Sequence, residues 1–491
     1  MSKLYVFAIG GSGARVFDQF IMMLASGVKL GNFNEVHPIL IDLDTEHPVH
    51  TKDLCEKYLA IYEQYRDTRN EGSFFGTKIV KTKYNVDGQE QESFIFPLKI
   101  NNSQEQFKEY IKLRTLDEES STLASVLFSD DNFNTNLFQG CKGQPNIGSV
   151  IFSNEYLDTT ISEALFGFQD HEDRVLVISS CFGGTGAAGF PALVKKISEQ
   201  HPNHFIGSVS IQPYFNFNSV SIAAFSTRVQ VSLDYYSKHI LDSRLLYWVG
   251  DNKSYLENNY TYEQGGGAQV DADLSHLAEF VAAAAIVDFA KIDRDSVDDQ
   301  IRLNSTTIPE LNRKSRHYIY EGVKGNNDKL NFKNVFNDPS ELDVDIRQRT
   351  SAFYLFTCFL KNAKKAAPHL FADNQLWVSR FKISDNTLKD LKSYCHSCTK
   401  NCWQIFNEMQ DRKQEFQPFK ECNKNDPMDV RVDIRGKKLS AGGFLGFWKK
   451  AGYDYILKCL NKRVYKRTAK DPLDLFSKVF NGIITKKYGE Q

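Results

Sequence analysis

The chain has 491 residues, 41% hydrophobic, 25% charged and 13% aromatic, with 60 Lys and Arg against 61 Asp and Glu. That length exceeds one ordinary core and implies about two to four domains. A net charge of −1 points to no polyanionic partner. The nine cysteines are too dispersed for a disulfide framework, and no run approaches the ~18 apolar residues of a membrane span.

In chain order, the first strand is predicted over Leu4–Gly10, with no signal-peptide core ahead of it. It feeds the glycine turn Ile9-Gly-Gly-Ser-Gly-Ala-Arg15 and an amphipathic helix over Arg15–Ala25. Pro38–Asp44 is predicted as a second strand, ending on Asp42 and Asp44. Residues 50–135, polar and aromatic, interrupt the rhythm and read as an insertion. A second glycine turn, Gly140-Cys-Lys-Gly-Gln-Pro-Asn-Ile-Gly148, precedes the strand Val175–Ser180. The third, Gly183-Gly-Thr-Gly186, follows that strand and opens an amphipathic stretch. Strands are predicted at His204–Pro213 and Leu245–Gly250, with an amphipathic segment, Ile222–Asp242, between them. Near-continuous apolar strands alternating with amphipathic helices predict a doubly wound α/β fold with a parallel sheet. Asp273–Phe289, Ala-rich and apolar on all sides, reads as a helix buried between domains.

These elements divide the chain into a nucleotide-binding domain over 1–268, a central helix over 269–290 and a second domain over 291–491, α+β or mostly helical. Within the latter, Cys395, Cys398 and Cys402 have the spacing of a zinc knuckle. In register with Leu388, Leu391, Ile405 and Met409 they form one apolar helical stripe instead, so no metal site is expected there. The last stretch, 449–491, carries eleven Lys and Arg against four acids.

A glycine turn between a strand and a helix aims backbone N–H groups and the positive end of the helix dipole at one spot, which suits phosphate. Gly11-Ser-Gly13 alone also suits a Rossmann dinucleotide site, with Asp42 or Asp44 as the ribose carboxylate, although Val16 stands at the third glycine position. No Walker A motif occurs.

The order of the turns is more specific. Gly10-Gly-Ser-Gly13, Ile41-Asp-Leu-Asp44, Phe182-Gly-Gly-Thr-Gly-Ala-Ala-Gly-Phe-Pro191 and Val209-Ser-Ile-Gln-Pro-Tyr-Phe-Asn-Phe-Asn218 together resemble the tubulin/FtsZ superfamily, nearest its divergent prokaryotic members. The resemblance covers about residues 3 to 290, with 50–135 elongated. It implies a Rossmann-like GTP-binding domain, a long central helix and head-to-tail self-assembly into filaments, with GTP or GDP and Mg2+ as ligands. Gly10, Gly11, Ser12 and Gly13 would cradle the α- and β-phosphates. Gly183, Gly184, Thr185 and Gly186 would wrap the other side, and Gly143 would face the γ-phosphate. Asp44 reads as a metal-shell or ribose ligand, or equally as a strand-end turn carboxylate. Asn218, from the segment that ends the fourth predicted strand, would belong to the nucleotide site, and Asp251 or Asn252 would meet base or sugar.

Two departures stand out. Ala14 and Arg15 replace the family's Asn after the first loop. Glu279 falls where the central helix carries a base-reading Asn; it would accept from guanine N1–H and N2–H, or pair with a basic residue at the domain interface. The family's catalytic acids follow the central helix and act on the next subunit's nucleotide. Here that segment offers Asp293 and Asp295 without the usual motif, so hydrolysis is left open. The basic terminus reads as a solvated helix face, or as a contact with neighbouring filaments or a nucleic-acid-bound partner; nucleic-acid binding itself does not follow from it. Two other functions remain: a non-polymerising nucleotide sensor within a prokaryotic defence or partition complex, with a partner protein of the same system, and a dinucleotide-dependent oxidoreductase.

Overall fold

Seven parallel strands form the central sheet of the computed structural model. It describes residues 2–44, 51–66, 72–98, 100, 105–154, 156–169, 171–214, 227, 229–232, 234–236, 245–250, 275–295, 317–322, 341–366, 368–372, 375–378, 380–411, 421–422, 430–434, 437–439 and 456–488. The first apolar run is β1 (Ser2–Ile9), and the helix after it, α1 (Gly10–Ala25), begins five residues earlier than its amphipathic pattern, inside the glycine turn itself. Next comes β2 (Phe33–Ile41).

The 50–135 segment is structured. It forms α2 (Thr51–Arg66), the edge strand β3 (Lys78–Ile79), the hairpin β4 (Thr82–Val86) and β5 (Gln89–Ser93), and the helices α3 (Phe107–Tyr110), α4 (Glu118–Leu127) and α5 (Asp130–Phe133). Asp117 caps α4 by accepting from the Ser120 amide at 2.8 Å. After it come α6 (Pro145–Phe152), α7 (Tyr156–Ala164), β6 (Arg174–Ser180), α8 (Gly184–Gln200), β7 (Phe205–Ile211) and β8 (Leu245–Gly250). The central helix is α9 (Leu277–Lys291), buried from Leu277 through Ala290. It starts at Leu277 because His276 Nδ1 accepts from the Ala278 amide while Glu279 reaches back to the His276 amide, a capping box.

Strand order across the sheet is β3-β2-β1-β6-β7-β8-β9, where β9 (His317–Gly322) pairs with β8 from Leu245↔His317 to Gly250↔Gly322. The chain therefore returns to the same sheet after the central helix. All seven residues of β7, and six of the seven in β6, are buried, so both faces of the sheet centre are covered. Then come α10 (Glu341–Ala366), α11 (Asp385–Asp411), α12 (Arg463–Thr468) and α13 (Pro472–Tyr488), with short antiparallel strands at 371–383 and 421–439. These helices share one continuous core with the sheet: Phe74 sits 5.2 Å from Phe356, which sits 5.1 Å from Phe476. On α11 the residues Leu388, Leu391, Cys395, Cys398, Cys402 and Ile405 are buried, with Cys402 Sγ 3.2 Å from Met22 Sδ. No group of metal-binding geometry occurs among the described residues. Among them, too, no helix is long and apolar enough to cross a membrane.

Candidate functional site

From β1 the chain moves outward to β2, and from β6 it moves the opposite way to β7. The junction between β1 and β6 is the switch point of the sheet, and in open parallel sheets ligands bind in the crevice beyond the carboxyl ends of such a pair. Both strands run straight into helices there. Gly10 has φ +71°, a left-handed conformation suited to glycine, and a Cβ on it would lie 3.1 Å from the Gly186 nitrogen. A Cβ at Gly13 would lie 3.0 Å from the Ile178 carbonyl oxygen, so glycine lets the first turn of α1 settle between β1 and β6. Neither α1 nor α8 has a side-chain N-cap. Their first-turn amides and positive dipole ends thus converge on one crevice.

The second glycine turn closes the third side. Gly140, Lys142 and Gly143 all have positive φ, at 72°, 43° and 68°. A Cβ on Gly184 would stand 2.6 Å from the Cys141 Cβ, 2.8 Å from the Gln144 nitrogen and 2.9 Å from the Gly143 nitrogen. The helices behind it are equally close: a Cβ on Gly189 would meet the Phe152 ring at 2.7 Å. Asp44 borders this turn, its Cβ 3.7 Å from where a Gly140 Cβ would be. The Cys141 thiol is pushed up to about 12 by burial, Thr185's hydrogen bond pulls the other way and the nearby Asp42 charge adds to the rise. A neutral, buried thiol packed against Thr185 is a wall, not a nucleophile.

Behind the loops lies a buried ion pair. Arg15 Nε donates to Glu279 Oε1 at 2.5 Å, and their side chains are 9% and 1% exposed. The Tyr214 hydroxyl donates to the same oxygen at 2.6 Å, and Ser275 accepts from Gln19 Nε2 at 2.6 Å. Burial and the neighbouring Glu279 charge hold the Tyr214 phenol well above its usual value. Glu279 is thus engaged by a basic residue, a tyrosine and its own helix cap. Asp18, one turn after Arg15, accepts from Asn401 of α11 at 3.0 Å.

The structure brings together Gly10, Gly11, Ser12, Gly13, Asp44, Gly143, Gly183, Gly184, Thr185 and Gly186. Asp293 and Asp295 are exposed and lie elsewhere. They follow the C-terminal end of α9, where Arg174, at the start of β6, donates to the Ile292 carbonyl oxygen at 2.8 Å. That is the foot of the sheet, opposite the glycine loops. Asn218, Asp251 and Asn252 lie outside the described residues. Reading by motif passed over Lys142, the lone cation of the second turn, and Tyr214; neither carries a sequence signal beyond its place within a motif.

No protein-family model matches this chain, and no curated protein matches it either.

Proposed function

We propose that the crevice binds GTP or GDP and that the protein is a tubulin/FtsZ-like protein whose copies associate head to tail into filaments. The observation that carries this reading is the meeting of three glycine loops at the switch point between β1 and β6. Gly10, Gly11, Ser12 and Gly13 hold the α- and β-phosphates through first-turn amides of α1. Gly183, Gly184, Thr185 and Gly186 take the opposite side, and the turn from Gly140 to Gly143, with Lys142, faces the γ-phosphate. Guanine as the base comes from the sequence resemblance. Arg15, clamped by Glu279 and Tyr214, stiffens the wall behind the nucleotide.

Mg2+ fits beside this cradle. Asp44 borders the Gly140 turn, and carboxylates suit the hydration shell of a phosphate-bound Mg2+. Such an ion would neutralise developing phosphate charge.

Asp293 and Asp295 stand too far from the crevice to act within one copy. In a head-to-tail pair the foot of one copy meets the crevice of the next, and these acids polarise the attacking water there.

Denaturing the purified protein and weighing the released nucleotide is the direct test, with GDP or GTP expected. Gly184→Val should abolish binding by driving a side chain into the Gly143 turn. The reading falls if no guanine nucleotide binds, or if Gly184→Val binds it as tightly as the parent. Sedimentation with a slowly hydrolysed GTP analogue tests assembly.

A further inference from the structure

Ala124 of α4 turns inward to a small core with Leu43, Phe107, Leu137, Cys141 and Ile147. Flanking it on the solvent side of the same helix, Leu123, Val126 and Leu127 are exposed by 58%, 77% and 57%. Their spacing of three and four places them side by side, and contiguous exposed apolar side chains of this size mark an interaction surface. The ends of the helix are acidic: Asp117, Glu118, Glu119, Asp130 and Asp131 are all exposed, and no Lys or Arg occurs between Thr115 and Cys141. This face sits at the head of the molecule, because Cys141 of the same small core packs against Gly184 at the crevice.

The foot carries the opposite charge. Between Lys458 and Lys470 there are six Lys and Arg and no acid. Lys458, Lys462, Arg463, Arg467 and Lys470 are exposed, with Val464 70% exposed among them. The segment is anchored low on the fold. Lys478 Nζ donates to the Thr468 carbonyl at 2.6 Å, and Ser477 Oγ accepts from the Phe74 amide at 3.1 Å. The neighbouring Phe75 amide donates to the Ala25 carbonyl at 3.0 Å, at the lower end of α1.

We propose that these two surfaces meet between copies of this chain: the apolar, acid-rimmed face of α4 at the head of one copy receives the basic segment around Arg463 and Val464 at the foot of the next. The inference rests on the head-to-tail reading above and supplies it with a charge-matched contact. Like charges oppose a symmetric pairing of α4 with α4, or of one basic segment with another. The contact is therefore heterologous, and a heterologous contact that does not close into a ring extends into a filament.

Charge exchange tests it in the full-length protein, by sedimentation with a slowly hydrolysed GTP analogue. Glu118→Lys/Glu119→Lys and Arg463→Glu/Arg467→Glu should each raise the concentration needed for assembly by about tenfold. Mixed in equal amounts, the two variants should assemble within about twofold of the parent, since each junction then pairs opposite charges. Leu123→Ser/Val126→Ser should weaken assembly without rescue by either partner. Nucleotide affinity, measured alongside, should be unchanged in all variants. If the parent assembles and both charge variants assemble equally well, the contact is wrong while the head-to-tail reading stands. Failure of the mixture to recover also overturns it. So does loss of nucleic-acid binding by Arg463→Glu/Arg467→Glu with assembly intact. A parent that binds GTP yet never self-associates sinks the contact and the filament reading together, leaving nucleotide binding in place.

Discussion

Arg15 and Glu279, 264 residues apart, form a 2.5 Å contact that ties the helix opening the first glycine loop to the central helix. The pair is buried, so removing one partner strands the other's charge away from water. Arg15→Met or Glu279→Gln alone is expected to cost about 3–5 kcal/mol. Arg15→Met combined with Glu279→Gln should cost clearly less than the sum. Urea unfolding of the three variants measures it, and strict additivity would refute the coupling.

Asp18, beside that pair, gives stability a pH dependence. Burial raises its carboxyl to about 7, the Glu279 charge adds, and Arg15 and the Asn401 hydrogen bond oppose. The other titratable groups packed near it, Cys55, Tyr58, Tyr394 and Cys398, are all held above their usual values and stay neutral. An unfolded Asp loses its proton near about pH 4. The folded protein thus holds an extra proton between about pH 4 and 7, and stability from this group falls as pH rises through that window and then levels off. Asp18→Asn should flatten the decline when denaturant midpoints are compared at pH 5.5 and 8.

Lys142 occupies left-handed backbone at φ 43°, a conformation costing a side-chain residue about 1–2 kcal/mol. Lys142→Gly should leave thermal stability equal or higher. On the proposed nucleotide reading the same change should weaken triphosphate more than diphosphate binding, by about fivefold, because one cation is lost. Calorimetric titration with both nucleotides separates the effects; a destabilised variant would argue against backbone strain.

Gly207 lies where the central helix crosses the sheet, and a Cβ there would meet the Phe289 ring at 2.4 Å. Gly207→Ala is expected to destabilise by about 1–3 kcal/mol through overpacking. Adding Phe289→Leu should recover part of the loss, read as a rise in melting temperature over the single variant.

On the proposed head-to-tail reading, Asp293→Asn/Asp295→Asn should leave nucleotide binding by the dilute protein intact and slow phosphate release at assembling concentrations by at least about tenfold. The parent's specific rate should climb with protein concentration. A rate independent of concentration would place hydrolysis within one copy.

The frame of the fold was legible where burial on both faces writes a continuous apolar run. Leu245–Gly250 matches β8 end for end, and Val175–Ser180 misses only Arg174 of β6. The edge of the sheet was not. His317-Tyr-Ile-Tyr-Glu-Gly322 is short and polar at intervals, so nothing in it announced β9. The hairpin Thr82–Ser93 escaped for the same reason, its second strand being wholly polar and almost wholly exposed. At the site, glycines showed where backbones approach closely, since a missing Cβ is visible in a sequence. The Arg15–Glu279 pair was visible only as two unusual residues, because a contact across 264 positions leaves no local spacing to read.

The pairing of β9 with β8 has a consequence for cutting the gene. A product ending at Lys291 would contain all three glycine turns, yet its outermost strand would present bare N–H and C=O groups along Leu245–Gly250. Such a fragment invites strand addition from any neighbour. Its natural remedy is the missing half supplied separately, which makes split expression a complementation assay and truncation a route to insoluble protein.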